Sequence, residues 1–249
     1  MSHVTAIIPA RLQSKRFPRK VLFPLKGKPL IYYVWKAATQ SKLINQIFIA
    51  TDSEEIGRTV NSFGGAVIMT SAKPKNGSER AAEAVREMKT NIVVNIQADN
   101  LGLKGSILDR VIREMIADRK INFATLARKI DGKDWKKKIN NPDVVKTIMT
   151  ADSHAGWFSR LPIPYIQRPG RKRSIDLYSF LEHIGVYFYR KQALMDYALW
   201  DRAMTEKVES LEQLRILENG GRIRLFTTRT NILSVDSKKV LEKIGNILK

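Results

Sequence analysis

The sequence predicts an α/β protein of three layers, in which a mixed, mostly parallel central sheet lies between helices and has an antiparallel extension in its second half. In the first half, short β-branched apolar runs alternate with helical patterns, as in parallel sheets covered by helices. From about residue 122, strand-like runs follow one another with little helix between them. Hydrophobic residues make up 43% of the 249, which is enough to form a sizeable buried core.

In the first half, the apolar run at residues 4–8 predicts a strand that Pro9 ends, and a long basic loop follows it. Residues 28–38 then predict a helix with Pro29 in its first turn, where proline is tolerated. Strands at 46–50, 66–69 and 91–96 alternate with a helix that starts at Ser53, with acidic residues in its first turn, and a helix over 78–88.

The second half predicts strands at residues 123–127, 144–149, 155–159, 184–189 and 222–227, and a helix over 205–218. We expect these strands to be antiparallel. No linker rich in proline, glycine or serine separates the halves, so we predict a single domain over 1–249 with halves of 1–121 and 122–249. The least structured stretch is the basic segment 167–174, which contains Pro169 and Gly170.

The composition favours anionic partners. Lysine and arginine number 44 against 24 acidic residues, a formal net charge of +20 that would attract nucleic acid or anionic small molecules. No recognition helix, zinc finger or aromatic RNA-binding signature accompanies the charge, so we expect mostly solvated surface and only non-specific binding of nucleic acid. The chain has no cysteine, which excludes a disulfide scaffold and a cysteine nucleophile. Without a targeting pattern or a long apolar run, we expect a soluble cytoplasmic protein with no membrane insertion.

The loop after the first predicted strand is rich in basic side chains. It lies at the carboxyl end of a parallel strand, where open α/β sheets bind ligands. It lacks the glycines of a Walker A loop or a GxGxxG turn, so side chains would bind a triphosphate there. A solvated basic surface loop is the alternative. The residues concerned are Arg11, Ser14, Lys15, Arg16, Arg19 and Lys20.

Two acidic residues follow apolar runs. Asp99 comes directly after the most apolar strand, where a carboxylate is costly unless it holds a cation or forms an ion pair. A magnesium ligand and a structural ion pair are therefore both open. Asp236 follows Ile232 and Leu233 near the C-terminus, and it could equally be the N-cap of a final helix.

A series of short motifs runs in order from about residue 4 to residue 242. None is specific alone, but their joint order resembles the family of 3-deoxy-manno-octulosonate (Kdo) cytidylyltransferases, or CMP-Kdo synthetases. The resemblance implies a fold of the nucleotide-diphospho-sugar transferase type. The motifs include Ile8-Pro-Ala-Arg11, Gly27-Lys-Pro-Leu30, Ala50-Thr-Asp52, Asn76-Gly-Ser-Glu-Arg80, Val94-Asn-Ile-Gln97, Phe158-Ser-Arg160, His183-Ile-Gly185, Glu209-Ser-Leu-Glu-Gln-Leu-Arg215 and Val235-Asp236.

The resemblance implies that the anomeric hydroxyl of Kdo or a related keto sugar acid attacks the α-phosphate of CTP, giving CMP-sugar and pyrophosphate for lipopolysaccharide biosynthesis. It also implies Mg²⁺, a homodimer, a nucleotide-binding first half and a sugar-binding and dimerisation second half. By residue, it implies Asp99, Asp236, Lys20 and Arg16 as catalytic, with Asp99 and Asp236 holding the metal; Ala10, Arg11, Ser14, Arg16, Lys20, Asn76, Gly77, Ser78, Arg80 and Gln97 as nucleotide-binding; and Arg160, His183, Tyr187, Glu212 and Gln213 as substrate-binding.

Several of these residues have structural alternatives. Ser78 could cap a helix, His183 could be a satisfied core histidine, and Tyr187 could be an ordinary core aromatic.

The sequence departs from the family at three places, one of which is Ser237-Lys-Lys after Asp236, where the family usually has Thr-Pro-Glu. After the predicted strand at 91–96, the chain reads Gln97-Ala98-Asp99-Asn100-Leu101 where the family usually has Gln-Gly-Asp-Glu-Pro. In the loop after the first strand, Pro18-Arg19-Lys20 replaces the usual Pro-Gly-Lys. Two alternatives to Kdo activation therefore stay open. One is a different acceptor, namely an amino-octulosonate, a nonulosonate or a phosphonate. The other is a catalytically impaired homologue that binds anionic polymer or nucleic acid.

Overall fold

The computed structural model describes residues 2–13, 17–131, 135–166 and 178–235. The strands in chain order are β1 (Val4–Ala10), β2 (Pro24–Leu25), β3 (Lys28–Pro29), β4 (Gln46–Thr51), β5 (Ala66–Met69), β6 (Ile92–Ile96), β7 (Asn100–Leu101), β8 (Phe123–Lys129), β9 (Lys146–Met149), β10 (Ala155–Ser159), β11 (Leu181–Arg190), β12 (Ile223–Thr228) and β13 (Leu233–Ser234). The α-helices are α1 (Leu30–Ala38), α2 (Glu54–Ser62), α3 (Gly77–Val85), α4 (Gly105–Ala117), α5 (Trp135–Asn140), α6 (Lys191–Leu199), α7 (Met204–Glu209) and α8 (Leu214–Glu218).

These elements form two compact units. Unit 1 comprises residues 1–120, 185–198 and 230–249, and unit 2 comprises residues 121–184 and 199–229. The predicted fold class is confirmed, because the sheet is mixed and mostly parallel, has helices on both sides and includes antiparallel strands. None of the helices in the described ranges is long and apolar enough to cross a membrane.

The parallel sheet of unit 1 is built around β1. Ala6 pairs with Ile47 of β4 and with Val94 of β6, so β1 lies between those two strands. Every residue of β1 and of β6 is buried, as their apolar, β-branched sequences predict. In the antiparallel part of this unit, the second half of β11 pairs with β6. The carboxyl ends of β1 and β6 therefore lie side by side.

Two predicted boundaries near prolines were wrong. β1 continues through Pro9, which pairs with Ala50, because the pairing of β1 with β6 ends at Ile7 and no N–H is needed on that side afterwards. Pro29 was predicted in the first turn of a helix, but it belongs to β3 and is the N-cap residue of α1.

Two helices of unit 1 differ in whether the sequence marks where they begin. Ser53 caps α2 by accepting from Ile56 N, and acidic residues fill the first turn of that helix, as predicted. Helix α4 was not predicted. Its N-cap residue, Lys104, makes no capping hydrogen bond, so the helix has no polar start signal and is formed by packing of its buried apolar face.

In unit 2, one predicted strand direction was wrong. β12 pairs with β8 in parallel, from Ile223 opposite Phe123 to Thr228 opposite Arg128. The long crossover between β8 and β12 passes through several other elements, which allows a parallel return. The antiparallel prediction holds for β9 with β10 and for the first half of β11 with β9.

The predicted helix over 205–218 is two helices, α7 and α8. Ser210, which follows α7, has a φ of 53° in the left-handed region and ends the helix there. A buried ion pair joins the two helices, because Arg215 donates to Glu206 at 2.7 and 2.8 Å and both side chains are at most 2% exposed. Arg202 also contacts Glu206, at 3.2 Å, but its side chain is 41% exposed.

We expect Arg215→Ala to lower the free energy of unfolding by about 3–5 kcal/mol, because Glu206 would lose the buried partner of its charge. Arg202→Ala removes the exposed partner of the same carboxylate and should cost less than about 1 kcal/mol. Urea unfolding followed by circular dichroism measures both values. Equal losses in the two variants would contradict this assignment.

Candidate active site

A cavity of about 260 Å³ opens in unit 1 where β1 and β6 end. Its position follows from the parallel pairing of the two strands, since ligands bind at the carboxyl ends of such strands. Among the residues that the structure describes, the lining is dominated by basic and amide side chains, with the carboxylate of Asp99. The lining residues are Pro9, Arg11, Gln13, Lys20, Val21, Lys75, Asn76, Gly77, Arg80, Gln97, Ala98 and Asp99.

Seven of the residues proposed for catalysis or nucleotide binding line this cavity, namely Arg11, Lys20, Asn76, Gly77, Arg80, Gln97 and Asp99. Ala10 is buried at the end of β1, and Ser78 is buried in α3. Gln13 and Lys75 also line the cavity and were not singled out, although each stands within or beside a motif that was. Ser14, Arg16 and Asp236 lie outside the described residues.

The guanidinium of Arg80 is held rigidly. Its side chain is fully buried and donates to the hydroxyl of Thr70, to the carbonyl of Ser71 at 3.3 Å and to the carboxylate of Asp52 at 3.2 Å. Its Nε atom is buried with no hydrogen-bond partner in the described structure. The ion pair with Asp52 compensates for the cost of burying this charge.

A network of polar side chains holds the start of α3. Asn76 caps the helix by accepting from Glu79 N at 2.8 Å, and its amide donates to Tyr197 Oη at 2.9 Å. Ser78 Oγ lies 2.7 Å from Tyr189 Oη and accepts from Asn95 Nδ2 at 3.1 Å. These buried contacts fix the first turn of α3, whose backbone N–H groups favour an anion.

Gly77 allows Gln97 to lie against the first turn of α3. A Cβ atom at position 77 would come within 2.7 Å of Gln97 Nε2 and 3.2 Å of Pro9 Cγ. Both approaches are closer than ordinary van der Waals contact. A larger residue at position 77 would therefore displace the carboxamide of Gln97 from its place in the cavity.

The carboxylate of Asp99 forms an ion pair with Lys20, a residue predicted to bind the triphosphate. Lys20 Nζ lies 2.5 Å from Asp99 Oδ2, and both side chains are largely buried. Ser234 Oγ donates to the same carboxylate oxygen at 3.4 Å, and Val235 N donates to the carbonyl of Asp99 at 3.1 Å. Both alternatives weighed for Asp99, an ion pair and a cation site, thus fit this geometry.

Asp99 sits in a turn that departs from the family pattern. Asn100 N donates to the carbonyl of Gln97 at 3.1 Å, which closes the turn around Ala98 and Asp99. Asn100 is 3% exposed, and its side-chain amide donates to the carbonyl of Gly185 at 2.8 Å. The amide at this position therefore donates a hydrogen bond that an ionised acid, which has no donor, could not make.

Arg19 stands where the family usually has glycine. Its φ is 58°, in the left-handed region that glycine adopts without steric cost. Its backbone N–H donates to the carbonyl of Leu12 at 2.8 Å, and its guanidinium pairs with Glu55. These contacts hold the arginine in the conformation that the loop requires.

In unit 2, the guanidinium of Arg160 contacts backbone carbonyls. Its Nε donates to the carbonyl of Glu209 at 2.7 Å, and its Nη1 donates to that of Pro142 at 2.8 Å. Lys146 is fully buried and donates to the carbonyls of Arg160, Val144 and Asn141. Burial, and secondarily the charge of Arg160, lowers the pKa of this lysine.

His183 is packed within unit 2. Its Nε2 lies 2.9 Å from Thr125 Oγ1, and its ring makes an edge contact with Phe158 at 5.0 Å between centroids. Burial lowers the pKa of His183 to about 3, so the imidazole is neutral near pH 7.

The other predicted sugar residues are divided between the units. Glu212 and Gln213 belong to unit 2, between α7 and α8, where Gln213 is 2% exposed. Tyr187 belongs to unit 1, where it is buried in β11 and stacks on Tyr189 with 6.2 Å between centroids.

Comparison with known proteins places these features in a family. A cytidylyltransferase family model matches residues 5–226. The chain is 37% identical over 244 residues to the 3-deoxy-manno-octulosonate cytidylyltransferase of Thermodesulfovibrio yellowstonii, covering 95% of this chain and 94% of that protein. It is 38% identical over 248 residues to the enzyme of the same name from Flavobacterium johnsoniae, covering 99% and 98%.

Two solved structures support the same family or the same fold. One is CMP:2-keto-3-deoxy-manno-octonic acid synthetase complexed with CTP, with 32% identity, a TM-score of 0.89 and coverage of 99% of this chain and 98% of that one. A cytidylyltransferase from Leptospira borgpetersenii has a TM-score of 0.64 at 14% identity, with coverage of 98% and 86%, and supports the fold alone.

The sheet topology, the basic cavity around Asp99 and these matches thus define a nucleotidyltransferase of the α/β class. Within that class, the chain belongs to the family of 3-deoxy-manno-octulosonate cytidylyltransferases. The family resemblance of the sequence motifs is confirmed.

The low pKa of His183 predicts a specific loss of stability in acid. The unfolded state takes up a proton as the pH falls below about 6.5, whereas the folded state does not do so until about pH 3, so stability falls in that window. Between pH 7.5 and pH 5, we expect the native protein to lose roughly 1–2 kcal/mol more than His183→Gln. Urea unfolding at both pH values measures the difference. Parallel stability curves for the two proteins would count against an imidazole that stays neutral in the folded state.

Proposed function

We propose that this protein transfers the cytidylyl group of CTP to Kdo, giving CMP-Kdo and pyrophosphate. The observation that carries the proposal is the meeting of Arg11, Lys20 and Lys75 with Asp99 around one cavity, at the ends of β1 and β6. Such a cavity suits a triphosphate, because its cationic side chains neutralise the phosphate oxygens. Relatives named as 3-deoxy-manno-octulosonate cytidylyltransferases, which match nearly the whole chain, support the choice of base and acceptor.

In the proposed reaction, the anomeric oxygen of the sugar acid forms a bond to the α-phosphorus of CTP. The bond between that phosphorus and the bridging oxygen to the β-phosphate breaks, pyrophosphate leaves, and the hydroxyl proton passes to solvent. Arg11 and Lys20, with Ser14 and Arg16 of the same loop, bind the triphosphate and neutralise charge on the leaving pyrophosphate. Asn76, Gly77, Ser78, Arg80 and Gln97, beside the backbone of Ala10, hold the nucleoside.

Mg²⁺ is the proposed cofactor. Asp99 supplies the hard oxygen donor that Mg²⁺ prefers, and Mg²⁺ is commonly bound by one or two carboxylates together with substrate phosphates. Among the residues that the structure describes, no cluster of three or more carboxylate or histidine side chains suits a metal ion. Asp236, the proposed second ligand, follows Val235, which is hydrogen bonded to Asp99. When bound, the metal would neutralise the phosphates and polarise the phosphorus.

Ionic contacts in the cavity support this metal proposal. Lys20 already balances the charge of Asp99 in the ion pair of 2.5 Å. A divalent cation at Asp99 would replace that balancing charge, and Lys20 would then be available for the triphosphate. We therefore propose that Lys20 and Asp99 neutralise each other in the protein without ligands, and that both side chains take part in the reaction.

For the sugar acid, we propose Arg160, His183, Glu212, Gln213 and Tyr187 as ligands. A keto sugar acid presents a carboxylate and many hydroxyl groups, which suit a guanidinium and side chains that donate and accept. His183 would act as a neutral hydrogen-bonding group, because its low pKa removes the charge. We assign nucleotide binding to residues 1–121 and sugar binding and dimerisation to residues 122–249 of a single domain.

We further propose a cytoplasmic homodimer that supplies activated Kdo for lipopolysaccharide biosynthesis. The relatives named as 3-deoxy-manno-octulosonate cytidylyltransferases support the link to Kdo activation. Transfer to another acceptor and polyanion binding without catalysis are not favoured, because the named relatives cover the chain almost end to end.

The direct test measures pyrophosphate release from CTP, Kdo and Mg²⁺ by the native protein and by Asp99→Asn. We expect release to require all three compounds and to fall by at least about a hundredfold in the variant, because the carboxylate that holds the cation is gone. Asp196→Asn is the matched control, since Asp196 contacts only Gln192 among the hydrogen bonds described and is not one of the residues that line the cavity. Release in Asp99→Asn at the native rate would refute the assignment.

A second test concerns the close contact at Gly77. Gly77→Ala should raise the KM for CTP by about tenfold, because the new methyl group displaces the carboxamide of Gln97. Gly57→Ala, in helix α2, meets nothing closer than 3.8 Å and should leave the KM unchanged while stabilising the helix slightly. Steady-state kinetics with varied CTP distinguishes the two variants, and equal KM values would exclude the proposed role of Gln97.

A further inference from the structure

We propose that Asn100 is the positioning residue for Asp99, holding the carboxylate in place for the metal through the carbonyl of Gly185. The inference rests on the proposed function, since it assigns a role at the same site. Asn100 does not line the cavity. It would therefore act through Asp99 and not on the substrate.

The first step of the argument is the anchoring of the turn that carries Asp99. Two of its residues donate to one carbonyl, that of Gly185: Gln97 N at 3.4 Å and Asn100 Nδ2 at 2.8 Å. Because Gln97 is the first and Asn100 the last residue of the turn, both ends are fastened to the same atom. Asp99, which lies between them, is thereby left little freedom to move.

The glycine at position 185 makes the anchoring possible. A Cβ atom there would come within 3.2 Å of Gln97 Cγ and 3.9 Å of Asn100 Nδ2. The first distance is tighter than an ordinary contact, so a side chain at 185 would push the turn away. Glycine lets the turn approach the strand closely enough for both hydrogen bonds.

The second step concerns the other side of the turn. Asn100 and Leu101 form β7, which pairs with Ser234 and Leu233 of β13. From this short ladder, Ser234 Oγ reaches Asp99 Oδ2 and Val235 N reaches the Asp99 carbonyl. Asn100 thus uses its backbone to hold β13 against Asp99 and its side chain to hold the turn against β11.

This arrangement explains an amide where the family usually has an acid. The Gly185 oxygen accepts from the Asn100 amide as well as from Gln97 N, whereas an ionised carboxylate at position 100 would offer only acceptors. A buried carbonyl facing a carboxylate is unfavourable. The anchoring role therefore predicts that adding an acid at position 100 weakens the metal site, whereas counting charges alone predicts that it strengthens it.

The experiment measures Mn²⁺ binding by electron paramagnetic resonance, without substrates, for the native protein, Asn100→Asp and Asn100→Leu. We expect both variants to bind Mn²⁺ about tenfold more weakly, because each lacks the donor to Gly185. In assays with Mg²⁺, kcat should fall by a similar factor while the KM for CTP stays within about twofold, since the nucleotide contacts are untouched. Asn140→Asp is the matched control, because Asn140 is exposed and its amide likewise donates to a carbonyl, that of Lys136 at 2.8 Å.

Native Mn²⁺ affinity in Asn100→Leu, or tighter binding in Asn100→Asp, would overturn the proposal. If Asn100→Leu does not fold, as judged by circular dichroism, Asn100→Gln replaces it: the retained amide should bind Mn²⁺ more tightly than Asn100→Asp does, and the reverse order would overturn the proposal. If the native protein binds Mn²⁺ but releases no pyrophosphate from CTP and Kdo, the proposed function fails, while the Mn²⁺ affinities still decide the role of Asn100.

Discussion

The parallel pairing of β1 with β6 is the constraint on which the site depends. Both strands are wholly buried, so the polar residues that follow them can leave the sheet only at its carboxyl edge. The register, with Ile7 opposite Asn95, brings the two exits side by side. The basic loop after β1 and the acidic turn after β6 therefore meet, and Lys20 and Asp99 form an ion pair. The remaining cavity residues are arranged around this meeting of opposite charges.

The free-energy cost of leaving buried polar groups unpaired explains most of the hydrogen bonds around the cavity. Asn76 and Ser78 at the start of α3 are tied to Tyr197 and Tyr189, and Asn100 is tied to Gly185. Two of the departures from the family pattern, Asn100 and Arg19, follow the same rule. Asn100 supplies a donor that its surroundings use, and the contacts of Arg19 hold a left-handed conformation that glycine would adopt more easily. These departures are accommodated locally and leave the cavity intact.

Some of the many basic residues have a structural role inside the protein. Its charge was expected to be mostly solvated, yet Arg80, Lys146 and Arg215 are almost fully buried. Arg80 and Arg215 pair with acids, whereas Lys146 donates to three backbone carbonyls. Such cations join neighbouring helices, strands and loops, because one ammonium or guanidinium group can donate to several acceptors at once. Part of the excess of lysine and arginine thus stabilises the two units.

The sequence by itself determined the fold class, the strands β1, β4, β5 and β6, the serine-capped start of α2 and the family, because these depend on local periodicity, capping residues and ordered motifs. It also indicated the basic loop and Asp99 as site residues. Only the tertiary structure decided the parallel pairing of β12 with β8, the ion pair of Lys20 with Asp99 and the anchoring of Asn100 on Gly185. The side-chain contacts join residues 79 and 85 positions apart. Which of many possible partners a side chain meets at such a separation depends on how the whole chain packs, and no local pattern records it.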